Sequence, residues 1–201
     1  MTTPSAAAAY PGEPTHPVAL PWPPDLPDGL PRRPRVLQLT DADAVSHGLV
    51  DGTPRERASN HEMRSCLGLV HATATAIDPH PRVRCAASTR TATCHLDILT
   101  ASGGNTWVIR RGVDGADYAL LEELADLIDA RTTATRPGRK RPARLADMLI
   151  LVGQDEIYTR PVRQLRVLGV PTWLLVPGYF VAASLYRAAT AVSFIGPRRG
   201  A

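Results

Sequence analysis

Short apolar runs alternate with stretches of helical periodicity from Arg35 onward. Val36 to Thr40, Val83 to Ala86, Trp107 to Arg110, Met148 to Val152 and Val170 to Val176 read as strands, with a short last strand over Val192 to Ile195. Met148 to Val152 is apolar throughout, the pattern of a strand buried on both faces. Between the runs, apolar positions recur at helical spacing. Met63, Cys66, Leu67 and Val70 share one face of a helix expected over about Glu56 to Ala76. Leu120, Leu121, Leu124, Leu127 and Ile128 form the stripe of the clearest helix, expected over Asp114 to Ala130. Further helices are expected over Ile157 to Leu168, ended by Gly169, and over Val181 to Ala189, with a short helix or turn near Thr91 to Leu99. Repeated strand–helix units predict an α/β domain, a mainly parallel sheet with helices on both faces.

Residues 1–34 break this pattern. They hold ten of the 19 prolines. Proline removes a backbone donor and blocks helix interiors and central strands. A disordered or polyproline-like arm is therefore expected, then one domain over 35–195 and a short basic tail over 196–201. The 201 residues suffice for one domain with a real core. No apolar stretch reaches the roughly 18 residues of a membrane span, and no signal-peptide pattern opens the chain, so a cytoplasmic protein is expected. The net charge of +4 favours an anionic partner. Three cysteines without paired spacing argue against a disulfide framework, and Cys94-His95 lacks the second ligand pair of a zinc site.

Chemistry concentrates in three acidic clusters. Asp41 and Asp43 close the first apolar run, Asp114 and Asp117 open the clearest helix, and Asp155 and Glu156 follow Met148 to Val152. Open α/β sheets bind ligands beyond the carboxyl ends of their strands, where all three clusters should lie. Carboxylates gathered there repel one another unless a cation holds them. Oxygen ligands suit hard cations, so Mg²⁺ or Mn²⁺ is expected, with phosphate chemistry as its use. Each acid also has an ordinary structural role: a turn cap for Asp41 or Asp43, a helix cap for Asp114, a first-turn acid for Asp117, a turn residue for Asp155. The segment Arg131 to Arg144 carries six positive charges and no acid. Read as a loop, it offers Arg136, Arg139, Lys140, Arg141 and Arg144 to a nucleic-acid backbone, or is simply a solvated surface.

Taken in order, these segments resemble the NYN family of PIN-like metal-dependent ribonucleases. The resemblance rests on Leu39-Thr40-Asp41-Ala42-Asp43, on Gly112-Val113-Asp114-Gly115-Ala116-Asp117, and on Val152-Gly153-Gln154-Asp155-Glu156-Ile157-Tyr158. Leu165 to Val170 and Ser184 to Ala189 continue it, so it spans roughly Arg35 to Ile195. It implies a Rossmann-like three-layer sandwich, PIN-like, with strand order 3-2-1-4-5. It also implies a catalytic metal site of Asp41, Asp117 and Asp155, and RNA as substrate; Asp43, Asp114 and Glu156, in the same three clusters, are second-tier candidates. The chain departs from the family at Ala44, at Gly153-Gln154 where a Ser-Gly pair is usual, and at Ile157. These departures motivate a second reading, a non-catalytic RNA-binding or interaction module. A third is a haloacid-dehalogenase-type phosphatase, with Asp41 as nucleophile and Asp43 as general acid in Asp41-Ala42-Asp43-Ala44-Val45. Gly103-Gly104 precedes a strand rather than opening a helix, so it is no Gly-rich phosphate loop, which argues against a dinucleotide enzyme.

Overall fold

The computed structural model describes residues 19–27, 29–49, 57–101, 106–112, 114–134 and 145–196. Among the described residues, six strands form one all-parallel sheet: β1 (Val36–Asp41), β2 (Arg82–Ser88), β3 (Thr106–Arg110), β4 (Met148–Val152), β5 (Thr172–Pro177) and β6 (Ala191–Ile195). Their order is β3-β2-β1-β4-β5-β6, so the expected 3-2-1-4-5 arrangement holds and the last strand extends it at the β5 edge. The helices are α1 (Ala42–Gly48), α2 (Asn60–Ile77), α3 (Thr89–Cys94), α4 (Leu96–Ala101), α5 (Gly115–Ala134), α6 (Thr159–Val167) and α7 (Ala183–Ala188).

Strand alternation divides the core in two. Val36, Met148, Ile150, Val152, Trp173 and Leu175 face one layer, where Val45 of α1 and Met63 and Val70 of α2 pack. Leu37, Leu39, Leu149, Leu151, Leu174 and Val176 face the other, covered by Leu120 and Leu124 of α5, Leu165 of α6 and Leu185 of α7. The result is a Rossmann-like three-layer α/β sandwich. Among the described residues, no helix is long and apolar enough to cross a membrane.

Several boundaries differ from the sequence reading, for local reasons. Asp41 caps a helix that the reading missed, α1, through its side chain. α2 starts at Asn60 rather than near Glu56, behind a capping box in which Ser59 and Glu62 satisfy each other's backbone amides. α5 runs on to Ala134, taking in Arg131, which was expected in the loop. The Arg131 guanidinium donates to the Ala146 carbonyl and to buried Asp147, which also accepts from Arg35 Nε at 3.2 Å. A short 3₁₀ turn, Glu156–Tyr158, precedes α6 where one longer helix was expected.

The proline-rich segment is not a wholly solvated arm in its described part. Leu26 is buried in the core layer of Trp173, and Trp22 meets Trp173 edge-on with ring centroids 6.5 Å apart. The Leu20 amide donates to Thr73 Oγ1 of α2 at 3.0 Å. Arg136, Arg139, Lys140, Arg141 and Arg144 lie outside the described residues, as do Gly103-Gly104 and the tail beyond Gly196.

Candidate metal centre

The chain runs outward from β1 to β3 on one side and from β4 to β6 on the other. That reversal opens a crevice between the carboxyl ends of β1 and β4. Thr40 pairs with Val152, so Asp41 and the Gly153-Gln154-Asp155 turn leave neighbouring strands side by side. Asp117 comes from the first turn of α5. Gly112 adopts φ +104°, and Gly115 sits so close to β3 that a Cβ there would stand 2.7 Å from the Arg110 carbonyl oxygen. Both positions of the Gly112-Val113-Asp114-Gly115 segment thus require glycine for the tight entry that brings α5 over the crevice.

One carboxylate oxygen from each of Asp41, Asp117 and Asp155 lies within 4.8 Å of the others. That spacing would suit a hydrated hard cation, held directly by some of the carboxylates and through water by the others. Asp41 is buried, Asp117 half-buried and Asp155 exposed, which leaves the group open to solvent on one side. Among the described residues, none of the three forms an ion pair with a basic side chain. Asp41 Oδ1 accepts from the amides of Asp43 at 2.9 Å and Ala44 at 3.1 Å, and Oδ2 takes neither. Asp117 Oδ1 accepts from the Tyr158 hydroxyl at 2.6 Å.

The electrostatics point the same way. Burial, then the charges of Asp117 and Asp43, pushes the Asp41 carboxyl well above the usual carboxylate range. Burial raises Asp117, with Asp114 adding to it. Burial raises Asp155, reinforced by Asp117 and Asp114. Three neighbouring acids, one of them fully buried and none in an ion pair with a described basic side chain, are a donor set that a divalent cation would stabilise. An acidic Asp cluster compatible with a metal ion therefore occupies the ligand-binding end of the sheet.

The second-tier acids separate. Asp43 lines the same cavity, but its carboxylate accepts from the Ser88 amide at 3.1 and 3.2 Å and from Ser88 Oγ at 3.0 Å, tying α1 to the end of β2. Asp114 is exposed on the cavity wall, and its backbone carbonyl accepts from the Tyr118 amide. Glu156 accepts from Ser184 Oγ of α7 at 3.0 Å and is not among the cavity-lining residues.

Sequence reasoning missed several side chains here. Tyr158 stands three residues after Asp155, on the 3₁₀ turn, and is fully buried. A Cβ at Gly153 would stand 3.2 Å from its ring, so Gly153 is the residue that lets Tyr158 reach Asp117. The cavity, about 610 Å³, is also lined by His47, Arg57, Ser88 and Arg90. Arg57 and Arg90 carry no sequence signal of their own, because each is one arginine among many. The cysteines are not ligands of this site. Burial pushes the Cys66 and Cys85 thiols up to about 12.

No family model matches the chain, and no curated protein matches it. A solved structure of a protein of unknown function from Vibrio parahaemolyticus is similar to 82% of this chain and 95% of its own, with 12% identity and a TM-score of 0.46.

Proposed function

We propose that the protein is a metal-dependent phosphodiesterase of NYN/PIN-like type that hydrolyses RNA. The observation that carries this reading is the convergence of Asp41, Asp117 and Asp155 within 4.8 Å at the topological switch point of a parallel sheet. A hydrated Mg²⁺ or Mn²⁺ bound there would supply Lewis acidity and an activated water. Asp41 forms the floor, fixed by two amides of α1. Asp117 is oriented by Tyr158. Asp155, the exposed member, stands where solvent and substrate enter. The basic segment containing Arg136, Arg139, Lys140, Arg141 and Arg144 adds affinity for the RNA backbone in this reading.

The Ser-to-Gly change at position 153 has a structural counterpart. A hydroxyl reaches one of the acids, Asp117, supplied by Tyr158 rather than by residue 153. The phosphatase-type reading is weakened at its second residue, because the Asp43 carboxylate is occupied by Ser88. That reading also assigns no part to Asp117.

The test is cleavage of labelled single-stranded and structured RNA with Mn²⁺, with Mg²⁺ and with chelator. The expected result is metal-dependent cleavage that chelator and Asp41→Asn both abolish. Cleavage that survives both would sink the proposal. RNA affinity without cleavage under any metal would favour the non-catalytic reading.

A further inference from the structure

Two arginines share the cavity with the acids. Arg57 and Arg90 line it together with Asp41, Asp117 and Asp155. Neither forms an ion pair with a described carboxylate, although Asp43 and Asp114 line the same walls. Elsewhere in the fold arginines do find acids: Arg82 and Arg84 share Glu123, Arg110 holds Glu122, and Arg35 and Arg131 share Asp147. Arg57 is half-buried, and its Nη1 donates to a neutral partner, Thr91 Oγ1, at 2.9 Å. Its backbone is held too, since the next amide, that of buried Ala58, donates to the Ser46 carbonyl at 2.7 Å. Among the described residues, that one bond to a hydroxyl leaves most of the guanidinium's five donors without a protein acceptor. Arg90 is exposed at the start of α3. A guanidinium held in place with no ion pair to a described carboxylate is arranged for an anion, and phosphate matches its fork.

We infer that Arg57 and Arg90 grip a phosphate of the substrate other than the one being cleaved, on the β1–β2 side of the carboxylates. This rests on the phosphodiesterase reading above and narrows its substrate. The site selects a chain with a second phosphate beside the reacting one, and a lone phosphodiester gains nothing from the two arginines.

The test compares two substrates on the full-length protein in Mn²⁺. One is a labelled RNA 12-mer. The other is bis(p-nitrophenyl) phosphate, a diester with no neighbouring phosphate. Expected for Arg57→Gln/Arg90→Gln is a KM for RNA raised about tenfold or more. The salt dependence of RNA binding should also become shallower by about 0.7 per lost contact on a log–log scale. Turnover of the small diester should stay at the wild-type level. Equal losses on both substrates, or an RNA KM and salt slope that do not move, overturn the inference while leaving the phosphodiesterase reading standing. If wild type hydrolyses neither substrate, that reading fails, and RNA affinity by fluorescence anisotropy decides the grip alone: weaker binding by the double variant supports it, unchanged binding overturns it. Arg90→Gln by itself, at an exposed position, carries the same comparison if loss of the Arg57–Thr91 bond prevents folding.

Discussion

At the scale of single residues, Asp41 does two things at once. It N-caps α1 through Oδ1 and contributes to the acidic group, so one side chain fixes both the local turn and the floor of the site. Tyr158 plays a different part. It is buried, and its hydroxyl donates 2.6 Å to Asp117, a charge-assisted bond that orients one carboxylate of the three. Tyr158→Phe keeps the ring against Gly153 and removes only that donor. Groups that orient metal ligands typically change affinity or activity by about 10–100-fold when lost. The expected outcome is therefore Mn²⁺ affinity weakened by roughly tenfold in a calorimetric titration, with the fold intact by circular dichroism. Unchanged affinity would show that Asp117 needs no such partner. The three acids were legible in the sequence because each sits at a predicted strand end or helix start. Tyr158 was not, because its role depends on a contact between residues 41 positions apart.

At the scale of elements, the connection after β5 shows how tightly the pieces are fitted. Gly178 has φ +76°, and a Cβ there would stand 1.9 Å from the Gly48 carbonyl oxygen at the end of α1. Gly169, at φ +72°, ends the turn after α6 with nothing within 4 Å of such a Cβ. The two positions share a backbone conformation and differ in space. Gly169→Ala should cost about 1–2 kcal/mol, the left-handed penalty alone. Gly178→Ala adds a clash with backbone and should cost clearly more, or prevent folding. Urea unfolding of both variants checks this, and equal losses would mean that α1 and the β5–α7 connection do not touch as described. Gly169 was readable as a helix terminator from sequence, since termination is local. The pairing of Gly48 with Gly178 was not. Nor was α1, because seven residues are too few for apolar periodicity to declare a helix. The extension of α5 to Ala134 escaped for a related reason: Arg131 is held by Asp147 and Ala146, beyond the loop.

For the whole molecule, the acidic group sets folding against charge. Burial raises Asp41, Asp117 and Asp155 above the ordinary carboxylate range, so the folded chain holds those protons more tightly than the unfolded one. For groups shifted this way, the stabilising contribution is full at low pH and is lost as pH climbs from the ordinary carboxylate range through the raised values. In chelator, wild-type stability relative to Asp41→Asn should therefore fall as pH rises. Asn is as good an N-cap as Asp, so the substitution keeps the cap and removes the charge. The melting temperature of Asp41→Asn should exceed that of wild type at neutral pH, by roughly 2–4 °C per 1 kcal/mol of relieved repulsion, and the gap should narrow towards pH 4. Mg²⁺ or Mn²⁺ should raise the wild-type melting temperature at neutral pH and leave the variant largely unmoved. A gap that is constant with pH, or a metal shift that Asp41→Asn retains, would contradict a shared carboxylate site.

The sequence by itself determined the fold class, because period-2 and period-3.6 patterns are local, and repeated strand–helix units leave few topologies other than a parallel sheet between helices. It also determined which acids lie at the ligand-binding ends, since an acid that directly follows a strand must emerge at that strand's carboxyl end. Only the tertiary structure decided which acids meet. Asp43 turns to Ser88 and Glu156 to Ser184, while Asp41, Asp117 and Asp155 converge, because hydrogen-bond partners distant in sequence take the first two away. The same long-range geometry delivered Tyr158 beneath Asp117 and brought Arg57 and Arg90 to the cavity.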